Sequence, residues 1–258
     1  MIYKLPKDIK TKLNNKTLIF TITSGRTGTN YLAKILNLLE SVDARHEPYP
    51  RFSTYLRKVI DNPDNALDLW SIKLSEIAKS KSPIYVETSN VFCKGFMSTL
   101  QSLDVKFKLI VLYRNIREIA LSLYCLNSIP GRTTKSLMYM LKPDDPICYF
   151  RIKDWEKLHD YQLCYWYALE MYYHCKRYDE SWKGTVSTDI GKLKNKDILT
   201  KFLNDLDIPI DGQFWNKWEQ MKNKKVNAKN NKKRKLDLDN EWINKMEIKT
   251  RKLMGILY

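Results

Sequence analysis

Between Lys16 and Leu39 the chain reads KTLIFTITSGRTGTNYLAKILNLL, and this stretch limits the fold more than any other. Leu18-Ile19-Phe20-Thr21-Ile22 is a short apolar run of β-formers, the length of a buried strand. Ser24-Gly25-Arg26-Thr27-Gly28-Thr29-Asn30 breaks the run with small polar residues and two glycines. An amphipathic helix follows, with Leu32, Ile35, Leu36 and Leu39 on one face. Strand, glycine loop and helix aim backbone N–H groups and a helix N-terminus at an anion. Ser24, Thr27, Thr29 and the Arg26 guanidinium add donors. A glycine-rich strand-to-helix turn with no ligand would carry the same local pattern.

The same rhythm repeats. A second strand ends at Arg45-His46-Glu47-Pro48, with Pro48 and Pro50 as stops. Residues 52–61 and 65–79 read as helices split by Asn62-Pro63, and Pro83 to Asn90 as a third strand entering a polar turn. The segment 94–103 can form a short helix. Phe107 to Tyr113 is a nearly unbroken apolar run of the kind central parallel strands show. Arg114-Asn115 and a helix over 116–126 follow, then an irregular, lid-like excursion at 127–153 containing Pro130-Gly131, Pro143 and Pro146. A long helix is expected from Asp154, as N-cap, to Trp182, with Cys164, Ala168, Met171, Cys175 and Tyr178 on one face. A short strand at 184–188, a helix at 195–206 and a last helix at 239–254 complete the chain. Residues 1–16 read as a basic lead-in and 222–235 as a basic loop. The expectation is one domain over 1–258: an α/β, three-layer fold with a central, mainly parallel sheet flanked by helices, like that of P-loop NTPases. Ligands of such sheets lie at the carboxyl ends of the strands, which puts 24–30, 46–48, 87–90 and 114–115 on one rim.

Lys and Arg outnumber Asp and Glu by 45 to 29 over 258 residues, a formal +16. That balance favours anionic partners without choosing among nucleic acid, acidic lipid, a charged nucleotide and an acidic glycan. The five cysteines have no CxxC spacing and read as buried thiols of a reducing compartment. His159 and His174 lack paired ligands and read as structural, and no metal-ligating pattern is found, so no metal is expected. With no long apolar run at the N-terminus, the expectation is a cytoplasmic protein with neither signal peptide nor membrane anchor.

A second cluster lies at Tyr113-Arg114-Asn115-Ile116-Arg117-Glu118-Ile119-Ala120-Leu121-Ser122. An Arg at a strand end and a Ser two turns into the next helix can jointly hold a dianion. The 24–29 loop is similar to the 5′-phosphosulfate loop of sulfotransferases that use 3′-phosphoadenosine 5′-phosphosulfate (PAPS). Arg26 stands where many members have Lys, and Asn30 replaces a Thr. The 114–122 segment resembles the family's 3′-phosphate motif, keeping the Arg-to-Ser interval but with Ile116 and Glu118 where Pro or Ala and Asp are usual. The likeness extends over roughly 17–235 and is nearest in kind to carbohydrate sulfotransferases.

The resemblance implies transfer of a sulfuryl group from PAPS to a hydroxyl or amine of an acceptor, a saccharide or glycoconjugate by preference. It implies donor contacts at Ser24, Gly25, Arg26, Thr27, Gly28, Thr29, Asn30, Arg114 and Ser122. Lys225, Asn227 and Lys229 stand where members place a loop over the 3′-phosphate, although the usual glycine is missing. Arg26 would neutralise the leaving oxygens. The base must reach the acceptor proton, and Glu47 is the first candidate, His46 the second. A strand-ending turn with an internal hydrogen bond is the plainer account of His46-Glu47-Pro48. Thr88 and Ser89 are candidate acceptor or sulfate contacts, with Thr88 standing where some members have Lys. Trp166 and Glu170 could also face the acceptor. Two other functions compete. A P-loop nucleotide kinase would need a GK[ST] loop and an Asp after an apolar strand, and the fourth strand ends in Arg114 instead. A basic nucleic-acid-binding protein would account for the charge but not for the two spaced anion motifs.

Overall fold

The computed structural model describes residues 5–223 and 238–256. In chain order the elements are α1 (Lys7–Asn14), β1 (Thr17–Ile22), α2 (Thr29–Leu36), β2 (Val42–His46), α3 (Phe52–Asp61), α4 (Ala66–Ala78), β3 (Ile84–Thr88), α5 (Met97–Ser102), β4 (Lys108–Tyr113) and α6 (Ile116–Cys125). They continue with α7 (Thr134–Tyr139), α8 (Asp160–Ser181), β5 (Thr185–Asp189), α9 (Lys196–Asp205), α10 (Phe214–Met221) and α11 (Asn240–Leu253). The sheet order is β2-β3-β1-β4-β5, and every pairing is parallel. This is the expected α/β arrangement. The anion loop leaves the middle strand, and all five strand ends share one rim.

Alternation along β1 explains the layers. Leu18, Phe20 and Ile22 point into one core with α3, α4, α5, α6, α8 and α11. Ile19 points into the other, with α2, α9 and α10. Both faces of the strand are thus covered, as its unbroken apolar run requires. Phe20 stacks on Phe92 at 4.6 Å, and Trp70 meets Phe20 edge-on at 5.8 Å.

Several expectations need correction. The lead-in is helical over Lys7–Asn14 and buries Leu13. The long helix starts at Asp160, not after Asp154. Asp154 takes a left-handed conformation ahead of a 3₁₀ turn, and Leu158 is extended, which interrupts any helix there. The cap is His159: its Nδ1 accepts from Tyr161 N at 3.1 Å, while Gln162 Oε1 accepts from His159 N at 3.1 Å. Residues 161–171 of α8 are buried on all sides, so one apolar face understates it. The 127–153 excursion contains α7 and is tied down. Arg57 donates to Asp145 at 3.0 and 3.1 Å, and Glu170 accepts from the Tyr149 and Phe150 N–H groups at 2.7 and 2.9 Å. Trp166 donates to Phe150 O at 2.7 Å. Trp166 and Glu170 therefore hold this segment and do not face an acceptor. His174 bonds Glu170 at 3.0 Å.

Under β3 lies a buried ion pair. Lys73 Nζ sits 2.8 and 2.9 Å from the two Glu87 oxygens, Tyr85 donates to Glu87 at 3.1 Å, and the ammonium lies 4.5 Å from the Phe52 ring centre. Burial pushes the Glu87 carboxyl up and the Lys73 amine down, and their mutual attraction opposes both shifts. Removing one partner strands the other charge in the core. Lys73→Met or Glu87→Gln alone is expected to cost about 3–5 kcal/mol in urea unfolding, and the double variant less than the two single losses added together.

Candidate anion-binding site on the central strand

The loop after β1 turns sharply. Gly25 has φ +81°, Arg26 φ +60° and Gly28 φ +91°. Such a run of left-handed residues makes a concave row of N–H groups. Close approach also demands glycine here. A Cβ on Gly25 would lie 3.0 Å from the Asn90 amide nitrogen, and one on Gly28 2.9 Å from Ile190 side-chain carbons. Gly28 is the N-cap of α2 and offers no side-chain cap. The backbone N–H groups of residues 26–29 donate to no acceptor among the described residues. Thr27 is buried and shares a hydroxyl–hydroxyl bond with Thr23, which fixes the turn from beneath. The Asn30 side-chain oxygen is buried and accepts no hydrogen bond among the described residues.

The two anion clusters expected from sequence are brought into contact. Arg26 Nε donates to Ser122 Oγ at 3.1 Å, and Arg114 Nη1 donates to the Arg26 carbonyl at 2.6 Å. Asn115 caps α6 by accepting from Glu118 N at 3.1 Å, which sets the turn that carries Arg114 and aims Ser122 at the loop. Arg114 also pairs with Glu118 at 2.9 Å. Arg26 has no carboxylate partner among the described residues. Burial, and then the neighbouring Arg114 charge, push its guanidinium below the usual range. Two cations, a hydroxyl and a row of unused N–H groups thus converge on one spot, a geometry suited to phosphate or sulfate.

At the end of β2, His46 Nδ1 lies 3.0 Å from Thr88 O and 3.1 Å from Thr88 Oγ1, while Glu47 N donates to Thr88 O at 3.2 Å. A carbonyl acceptor assigns the proton to Nδ1 and leaves Nε2 as the basic nitrogen of the neutral ring. Glu47 is held at φ +49° and half-buried. Burial raises its pKa, against the pull of His46, Lys94, Arg51 and Lys135. Thr88 and Ser89 are buried at 0 and 2 % exposure. Thr88 bonds His46, and Ser89 Oγ accepts from Val91 N at 3.1 Å. Their hydroxyls are engaged within the protein, beside His46 and at the β3 turn. Lys225, Asn227 and Lys229 lie outside the described residues.

Sequence reasoning missed the groups behind the loop. Tyr167 of α8 donates to Ser24 O at 2.8 Å, and Lys94 Nζ donates to Tyr167 Oη at 2.8 Å. Asn90 lies against Gly25 and reaches Tyr139 O at 3.4 Å. The signal for Lys94 was a lone charge inside Val91-Phe92-Cys93-Lys94-Gly95-Phe96. Among the described residues no group of three or more His, Cys, Asp or Glu side chains could hold a metal ion, and no helix is long and apolar enough to cross a membrane.

No family model and no curated protein matches the chain. Among solved structures, it is similar to a sulfotransferase domain from the curacin biosynthetic pathway, at 12% identity over 77% of this chain and 76% of that one, with a TM-score of 0.49. It is also similar to the mouse sulfotransferase SULT7A1 complexed with PAP, at 13% identity over 96% of this chain and 88% of that one, with a TM-score of 0.46.

Gly28→Ala is expected to cost about 1–3 kcal/mol through its left-handed backbone, read by thermal or urea unfolding, and to weaken anion binding at the loop, read by isothermal titration with inorganic sulfate or phosphate.

Proposed function

We propose that the chain is a PAPS-dependent sulfotransferase acting on a hydroxyl or amine of a saccharide or glycoconjugate. One observation carries this reading: Arg26 of the β1 loop touches Ser122, and Arg114 touches Arg26, so the two clusters read from the sequence adjoin. The residues fit the donor's two charged ends. The N–H groups of 25–30, with Arg26, would hold the 5′-phosphosulfate, and Arg114 with Ser122 the 3′-phosphate. The donor supplies an activated sulfuryl group on a bridging oxygen.

The chain's own residues do the rest. Glu47 takes the acceptor proton as the new O–S or N–S bond forms. Arg26 and the loop N–H groups stabilise charge on the bridging oxygen as its bond to sulfur breaks, and the electron pair leaves with adenosine 3′,5′-bisphosphate. His46, turned by Thr88, is the alternative base through Nε2. On the acceptor side, Tyr49 is 79% exposed next to Glu47 and can stack on a sugar face. Arg51 and Lys135 are exposed cations within electrostatic reach of Glu47, which suits an acidic saccharide.

Isothermal titration should detect adenosine 3′,5′-bisphosphate binding without magnesium, weakened about tenfold or more in Arg114→Ala or Ser122→Ala. Absence of binding, with tight ATP·Mg binding in its place, would support the kinase reading. Glu47→Gln should lower kcat by about 10²–10⁴ while leaving donor KM within about twofold. Because burial raises the Glu47 pKa above the ordinary 4.5, activity should fall as pH drops through a value above that figure. In Glu47→Gln that acid limb should vanish.

A further inference from the structure

Lys94 lies at the turn between β3 and α5 and is buried at 0 % exposure. Its hydrogen-bond partners are neutral oxygens: Tyr167 Oη at 2.8 Å and the Tyr139 carbonyl of α7. Tyr167 passes the contact on, donating to Ser24 O at 2.8 Å. Asn90, which touches the same Tyr139 carbonyl at 3.4 Å, forms the wall against Gly25. The amine is therefore two hydrogen bonds behind the anion loop. A fully buried cation without a bonded carboxylate is costly unless an opposite charge arrives. Glu47 is the carboxylate that attracts it, from the end of β2, without a hydrogen bond.

Resting on the sulfotransferase reading above, we propose that Lys94 is a positioning residue whose ammonium is the buried counter-charge to the donor, braces the loop through Tyr167, and takes up a proton when the nucleotide's 5′-phosphate binds. Burial first of all brings the amine down to about 8 in the ligand-free protein. The groups facing it have mixed effects. Cys93 on its own segment, Cys175 of α8 and Glu47 raise its pKa, and Arg57 of α3 lowers it. Tyr167 of α8 and the Tyr139 carbonyl of α7 accept its hydrogen bonds. A dianion in the loop favours the charged form and must raise the amine's pKa, so binding and protonation are linked. The same contacts connect the 127–153 segment, through Tyr139, to the floor of the loop.

The test is isothermal titration of adenosine 3′,5′-bisphosphate into the whole protein between pH 7 and 9.5, in two buffers of different ionisation enthalpy. The parent is expected to take up about half a proton per nucleotide at pH 8, with affinity falling by up to about tenfold per pH unit above that. Lys94→Met should lose both the uptake and the slope. Tyr167→Phe, which removes one oxygen and keeps the ring, should retain the uptake and bind about three- to tenfold more weakly. Binding by the parent with no uptake near pH 8, or the same uptake in Lys94→Met, overturns the assignment and leaves the sulfotransferase reading standing. No binding by the parent at any pH overturns that reading itself, and the assignment with it.

Discussion

Arg26 lies beside the charge of Arg114, which bonds its carbonyl, with no carboxylate partner of its own among the described residues, and the organisation of the site follows from that arrangement. Like charges this close repel; Glu118 offsets the Arg114 charge, and a rigid surround holds Arg26 in place. The surround is visible at each step. The Thr23–Thr27 hydroxyl bond locks the turn. Gly25 and Gly28 admit Asn90 and Ile190 where a side chain would not fit. Asn115 caps the helix that delivers Ser122.

The sheet order explains why these pieces meet. β1 is central, with β3 on one side and β4 on the other, so the loops after all three strands lie side by side on one rim. The β4 side brings Arg114 and Ser122. The β3 side brings Asn90 and Lys94, and β2 beyond it adds His46 and Glu47 through the Thr88 carbonyl. The buried Lys73–Glu87 pair fixes β3 against α4 one residue before Thr88. Local chemistry at the rim therefore depends on charges placed well below it. Behind the loop, α8 serves as the common wall: Tyr167 supports the loop, while Glu170 and Trp166 hold the excursion at 149–150.

Strands and the glycine turn after β1 were legible in the sequence because their signals are local. Apolar runs such as 18–22 and 107–113, ended by polar turns, identify parallel strands by composition alone. Arg114 and Ser122 were legible because a fixed interval on one strand and one helix determines their relation. The misses were non-local. α1 has few apolar residues, and it is defined by Leu13 reaching the core. α10 was not expected at all, and it is held by Phe214 and Trp218 against the second core. Asp154 looked like a helix cap because Asp is a good one, but the chain is left-handed there and extended at Leu158, so His159 takes that role. The burial of Thr88 and Ser89 at the end of β3 was not legible either, because it comes from packing by neighbouring segments. Lys94 stood out only as a lone charge in an apolar run, because its partners, Tyr139 and Tyr167, come from two distant segments.

The proposed activity requires a single nucleotide to be held at both phosphorylated positions. The most direct measurement compares adenosine 3′,5′-bisphosphate with adenosine 5′-monophosphate as ligands for the parent and for Arg114→Ala. A strong preference for the bisphosphate in the parent, collapsing to near equality in Arg114→Ala, is the predicted result. Equal affinity for the two ligands in the parent would contradict it, since the 3′-phosphate would then have no partner on this rim.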